Sequence, residues 1–149
     1  MSSSDEQCAL LQLRRIARVG DIRCAQLLRD FGSARAALEG LQADGAAVSG
    51  ADEDWAAAQL SRAEDLGVQF VAMHDERYPD LLRQIPDPPA YLFVRGSVQL
   101  LAAAAVAIVG SRRCSPYGRD VARRFGRDLA ARGLTVTSGL ALGIDAAAH

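Results

Sequence analysis

The chain has no lysine, few aromatic residues and no long apolar run, and each shortage excludes something. All 17 of its basic residues are arginine, so every strong cationic contact must come from a planar, permanently charged guanidinium. Of 149 residues only four Phe, three Tyr and one Trp are aromatic. A surface that stacks many bases in a row is excluded, and stacking is confined to one or two positions. No apolar run approaches the ~18 residues that mark a membrane helix. The opening MSSSDEQCALLQLRR is polar and acidic before it turns apolar, unlike a signal peptide. Cys8, Cys24 and Cys114 are odd in number, widely spaced and without a CxxC pair. That pattern fits reduced thiols in a cytoplasmic protein rather than a disulfide framework or zinc site. Nucleotide fingerprints are missing too: there is neither GxGxxG nor GK[ST].

What is present is unevenly spread. The net charge of −1 conceals nine arginines against fifteen acids in residues 1–90, and eight arginines against three acids in residues 91–149. An anionic ligand is therefore directed to the C-terminal half, where arginine forks can grip phosphate. A GC-rich codon bias accounts for the missing lysine, but not for this segregation.

Apolar spacing divides the chain at Gly67. Before it, helices broken at Gly20 and Gly32 are expected, with apolar sets Leu10, Leu11, Leu13, Ile16, Val19 and then Ile22, Ala25, Leu27, Leu28. Ser33 is a cap for a third helix, and a fourth runs from about Asp54 to Leu66, anchored by Trp55 and stopped by Gly67. After it, strands are expected at VQFVAM, YLFVRG, VAIVG and LTVTSG, with a short helix over Asp80–Ile85 and a long one over Pro116–Arg132. The long helix shows Val121, Phe125 and Leu129 on one face and Arg119, Arg123, Arg124 and Arg127 on another. The fold class is α/β: a small all-α domain over residues 1–66, then an incomplete parallel sheet with βαβ connections over residues 67–149. VAIVG reads as a strand buried on both faces. The chain stops at His149 inside an opening helix, the mark of a fragment of something longer.

Two glycine loops follow strands, where open parallel sheets bind ligands. The first is GSRRCSPYG, Gly110 to Gly118; the second is SGLALGID, Ser138 to Asp145. Ser115-Pro116 fits an N-cap followed by proline at the first helical position, leaving backbone N–H groups for an anion. Gly110 and Gly118 permit close approach of a ligand, and Arg112 and Arg113 add charge. Gly139 and Gly143 do the same from the second loop, with Asp145 expected to cap the next helix. Otherwise the glycines serve only tight turns.

At these residues the chain resembles a known family. MHDERYPDLLRQIPDPPAYLFVRGS, VAIVGSRRCSPYG and VTSGLALGIDAAAH, in this order and spacing, resemble the bacterial DNA-processing protein DprA (Smf) family. The helical N-terminus is similar, less closely, to the SAM-like or helix-hairpin-helix-like domain that precedes its Rossmann-like core. The resemblance implies single-stranded DNA binding and loading of the RecA recombinase in natural transformation, without catalytic turnover, cofactor or metal, and a homodimer at full length. By motif it implies Gly110, Ser111, Arg112 and Arg113 at the DNA phosphates, with Ser115, Tyr117 and Gly118 in the same loop. Ser138, Gly139 and Gly143 then line the opposite wall. Members often read GLARG where this chain reads GLALG, so Leu142 stands in place of one basic contact. A lysine in a later glycine-rich stretch, part of the family's pocket, has no counterpart here.

Other features weigh less. The arginine face of the long helix reads mainly as solvated, and Tyr117 as either a stacking or a packing residue. His74-Asp75 reads as a turn, and Asp145 with His149 as two metal ligands lacking a third. The Gly20 turn RVGDI, in the acidic half, reads as structural. The competing class is a nucleotide-binding hydrolase of the nucleoside-monophosphate phosphoribohydrolase type. It needs an acid facing the ribose, for which Asp145 is the nearest candidate.

Overall fold

The computed structural model describes residues 3–46 and 49–149. The fold is mixed α/β, and the chain divides into two compact units, Met1–Leu101 and Ala102–His149.

The first unit opens with α1 (Ser3–Leu13), α2 (Asp21–Phe31), α3 (Ala34–Ala43) and α4 (Gly50–Asp65). Their ends follow local chemistry. Gly32 takes φ 78° at the end of α2, and its N–H returns to the Leu28 carbonyl. The Ser33 hydroxyl accepts from the Ala36 N–H at 3.1 Å to start α3, and the Glu6 carboxylate reaches across from α1 to the Ala34 N–H. Helix α4 starts at Gly50, four residues before the expected Asp54, so the ADED segment lies at its beginning. The Ser49 N–H donates to the Asp52 carboxylate at 3.2 Å, and the Arg15 guanidinium meets the same carboxylate at 2.7 Å while covering the Trp55 ring at 4.5 Å.

Leu10, Leu11, Leu13, Cys24, Leu27, Ala34, Ala37 and Ala56 form the helical core. The apolar set of α2 needs correcting: Ile22 is exposed, and Cys24 fills the inward position instead. Burial pushes the Cys24 thiol up to about 11.

Two strands pack on these helices. β1 (Val68–Ala72) and β2 (Tyr91–Arg95) pair antiparallel, from Val68 opposite Arg95 to Ala72 opposite Tyr91. They form a sheet of their own and do not join the parallel pair. The element between them, α5 (Asp80–Arg83), is one turn long. Strand alternation sends Phe70 and Ala72 into the helical core, while Val71 meets Tyr78 and Val98 on the other face. The Tyr78 hydroxyl donates to the Pro89 carbonyl at 2.8 Å. Arg83 donates to the carbonyls of Met73, Asp75 and Tyr78 at 3.1, 3.1 and 3.3 Å. His74-Asp75 is thus a turn, with Asp75 gripped by Arg77 at 2.6 Å. In the RVGDI turn, Asp21 pairs with Arg14 at 3.1 Å and accepts the Ala90 N–H at 3.1 Å, a structural tie to the second strand.

The second unit is a single βαβ step. β3 (Ala105–Ala107) runs parallel to β4 (Thr135–Thr137), with α6 (Pro116–Ala130) between them and α7 (Ile144–Ala148) after. Two expectations are corrected here. β3 is exposed along its length instead of buried on both faces. In α6 the buried residues are Ala122 and Gly126, while Phe125 is 60% exposed. The cause is the close approach of α7: a Cβ on Gly126 would lie 2.2 Å from the Ala148 carbonyl oxygen. The smallest residues of α6 therefore define its contact line, and the larger apolar ones flank it.

Among the described residues no helix is long and apolar enough to cross a membrane.

Candidate nucleic-acid interface

All ten sequence-nominated residues lie in the second unit, and the two glycine loops that carry them are bonded to each other. In the first loop the Ser111 hydroxyl accepts from the Arg113 N–H at 3.1 Å, a serine turn that pins the bend. The Ser115 hydroxyl accepts from the Gly118 N–H at 3.1 Å and caps α6, with Pro116 at its first position, as the sequence leads one to expect. In the second loop the Ser138 hydroxyl accepts from the Leu140 N–H at 3.0 Å and meets His149 Nε2 at 2.9 Å. Leu140 takes φ 51°, a left-handed conformation a non-glycine residue adopts at some cost.

The join between the loops is Asp145. Its side chain is 5% exposed. Oδ1 accepts from the Gly110 N–H and Oδ2 from the Gly139 N–H, each at 3.1 Å. The Ile144 N–H also donates to the Ser111 carbonyl at 3.2 Å. Asp145 is therefore not the cap of α7, whose N-cap position is Gly143. Nor do Asp145 and His149 form a metal pair, because each is engaged elsewhere. Among the described residues no cluster of three or more His, Cys, Asp or Glu is placed to hold a metal. Sequence reasoning missed the clamp, although a signal existed: Asp145 is one of only three acids in the basic half.

The glycines of the loops are needed for packing as much as for a ligand. Gly143 has φ 96°, and a Cβ there would sit 2.2 Å from the Ser111 carbonyl oxygen. A Cβ on Gly110 would sit 2.8 Å from Ile144. The backbone donors of Gly110 and Gly139 thus face a carboxylate inside the protein.

What faces outward is side chain. Arg112, Arg113 and Arg119 are exposed, and none makes an ion pair among the described residues. Farther along α6, Arg123 pairs with Asp120 at 3.2 Å and Arg127 approaches Asp128 at 3.8 Å, while Arg124 is exposed and makes no ion pair among the described residues. Tyr117 is 78% exposed, which favours stacking of the two roles open to it. Leu140 and Leu142 tip the second loop, 70% and 79% exposed. A cleft of about 550 Å³ in this unit lies along the middle of α6, lined by Arg123, Gly126, Arg127 and His149 among others.

A buried clamp thus joins two βα loops of a Rossmann-like βαβ unit, with unpaired arginines and an aromatic ring on the outside. Residues 69–149 match the DNA recombination-mediator protein A family, and residues 4–65 match a DprA-like N-terminal HHH domain. The chain belongs to the DNA recombination-mediator protein A family. Protein Smf of Escherichia coli (strain K12) is 49% identical over 80 residues, covering 54% of this chain and 21% of its own. DNA processing protein DprA of Bacillus subtilis (strain 168) is 34% identical over 91 residues, covering 60% and 31%. The X-ray structure of DprA from Streptococcus pneumoniae, 34% identical, aligns with TM-score 0.50 over 66% of this chain and 36% of its own. The chain thus spans less than a third of the length of these two curated relatives.

Proposed function

We propose that this chain supplies part of a single-stranded DNA-binding surface in a protein of DNA processing and natural transformation, and that it binds without catalysing a reaction. The observation that carries this reading is the outward face of the first glycine loop: Arg112 and Arg113 are exposed and unpaired beside the exposed ring of Tyr117. Guanidiniums take phosphate oxygens irrespective of sequence, and an exposed tyrosine gives a base a face to stack on. Loading of RecA, assembly as a homodimer and a cytoplasmic location belong to the same reading and rest on the family resemblance. Free thiols at Cys8, Cys24 and Cys114 agree with a reducing compartment.

The hydrolase alternative finds less support. A phosphoribohydrolase needs a carboxylate free to face the ribose, whereas both oxygens of Asp145 are held by backbone amides. Asp120 and Asp128 lie along α6 beside arginines.

The test is a salt titration of oligo(dT) binding. Each phosphate neutralised on a single strand contributes about 0.7 to the slope of log K against log salt. Replacing both Arg112 and Arg113 by alanine should lower that slope by about 1.4 and weaken binding about fifteenfold near 0.15 M salt. Arg123→Ala, whose partner is Asp120, should change the slope by less than half a unit. An unchanged slope in the double variant would remove these two residues from the interface. Release of free base from a nucleoside monophosphate would favour the hydrolase.

A further inference from the structure

We propose that Asp145 is a specificity-determining residue which closes the strand-end crevice to free phosphate and mononucleotides. The inference deepens the DNA-binding reading above, because it says which phosphates the loops refuse.

In an open parallel sheet the ligand seat lies beyond the carboxyl ends of adjacent strands. There, backbone amides at the starts of the βα loops donate to phosphate. β3 ends at Ala107 and β4 at Thr137, so Gly110 and Gly139 both stand within three residues of the strand ends. Their two N–H groups are the donors such a seat would use. Both are spent on one internal carboxylate, at 3.1 Å each. Asp145 therefore occupies the position of a bound anion and carries the same sign of charge as the phosphate it replaces.

The volume is taken as well as the donors. The space a Cβ would claim over Gly110 holds three Ile144 atoms between 2.8 and 2.9 Å away. A Cβ on Gly139 would lie 3.2 Å from Asp145 Oδ2. The start of α7 lies on the first loop, with the Gly143 Cα facing the Ser111 and Arg112 carbonyls. A mononucleotide has one phosphate group and must place it in the crevice to gain several donors at once. A polynucleotide has many phosphates and needs no such seat, since the exposed Arg112 and Arg113 side chains can meet it from outside. Occupying the crevice therefore penalises the small ligand and spares the polymer.

The test uses the full chain as wild type, Asp145→Ala and Asp145→Asn. Affinities for AMP, inorganic phosphate and a fluorescent oligo(dT) are measured by calorimetry and anisotropy, with far-UV circular dichroism for fold. The wild type should bind neither AMP nor phosphate at 10 mM. In Asp145→Ala the charge and both acceptors are gone, and AMP affinity should rise at least tenfold. Asp145→Asn keeps one acceptor and should fall between. A folded Asp145→Ala variant with no gain for AMP or phosphate overturns the inference. A second measurement needs no variant: in the wild-type amide spectrum, 20 mM phosphate should leave the Gly110 and Gly139 N–H resonances in place. Phosphate-dependent shifts of those two resonances also overturn it. The oligonucleotide arm separates the two readings: a wild type that ignores oligo(dT) defeats the DNA-binding reading, whereas the AMP arm alone decides the closure.

Discussion

Replacing Gly143 by alanine should damage the second unit more than any other glycine-to-alanine change at a positive-φ position, and the size follows from two separable costs. The first is conformational: Gly143 has φ 96° and ψ −124°, outside the left-handed helical region and nearly reserved for glycine, where a side chain costs about 1–3 kcal/mol. The second is steric: the new Cβ would stand 2.2 Å from the Ser111 carbonyl oxygen and 2.7 Å from that of Arg112. Both neighbours are backbone, so relief requires moving the first glycine loop, and overpacking of this kind costs about 1–3 kcal/mol more. The expected total is about 2–6 kcal/mol. Gly133 supplies the control, since it has φ 80° with nothing within 4 Å of an added Cβ. Gly133→Ala should therefore cost only its own positive-φ strain, about 1–2 kcal/mol. The assay must see the right unit. The single tryptophan, Trp55, lies in α4, so its fluorescence reports the first unit and is blind to this change. Amide hydrogen exchange across residues 102–149 under a urea series reads the second unit directly. If Gly143→Ala lost no more protection there than Gly133→Ala, the close loop-to-loop approach would be wrong.

Two further outcomes concern the first unit and are read by Trp55 fluorescence in urea. Tyr78 is 2% exposed and its hydroxyl donates to the Pro89 carbonyl; Tyr78→Phe should lower stability by about 1 kcal/mol with an unchanged urea slope, and no loss would mean water replaces the bond. The Arg15 guanidinium first, and then the Ser49 N–H, hold the Asp52 carboxyl below its ordinary range. A carboxyl lowered in the folded state stabilises fully above its unfolded pKa and loses that contribution as pH falls from about 4 toward the folded value. The stability gap between wild type and Asp52→Asn should thus be open at pH 7 and close in strong acid; a gap independent of pH would refute the pairing.

Much of the architecture was legible because its signals are local. Gly32, Ser33 and Ser115-Pro116 act through their own backbone torsions and hydroxyls, so a sequence window a few residues wide contains the cause. Pairing was less legible. The segments at Val68 and Tyr91 read correctly as strands, but nothing in their alternation says that they pair with each other and leave the parallel step to β3 and β4. That depends on tertiary packing: the connection from Met73 to Ala90 is long enough for either orientation, and the observed antiparallel register sets Phe70 and Tyr91 against the helical core. The packing face of α6 was misread for a related reason. Hydropathy ranks Phe125 above Gly126, yet a helix that must approach a neighbouring backbone selects the residue without a side chain, and Phe125 is turned out.

The site divides along the same line, and the division bears on function. The charge of Arg112 and Arg113 belongs to the residues themselves, so the outward, cationic half of the candidate site was legible without knowledge of the fold. Asp145 has no such intrinsic meaning: 35 residues separate it from the Gly110 amide it accepts. Only the parallel return of β4 beside β3 brings the two loops close enough to share one carboxylate. On the proposed DNA-binding reading, that sharing changes what the arginines are for. Glycine loops with free amides would need arginine only to supplement a phosphate already held by backbone donors. With those amides committed to Asp145, phosphate contact falls to the side chains alone, and side chains on an exposed loop grip one phosphate weakly. Useful affinity then requires several phosphates on one ligand at once, which is the condition a polynucleotide meets and a free nucleotide does not.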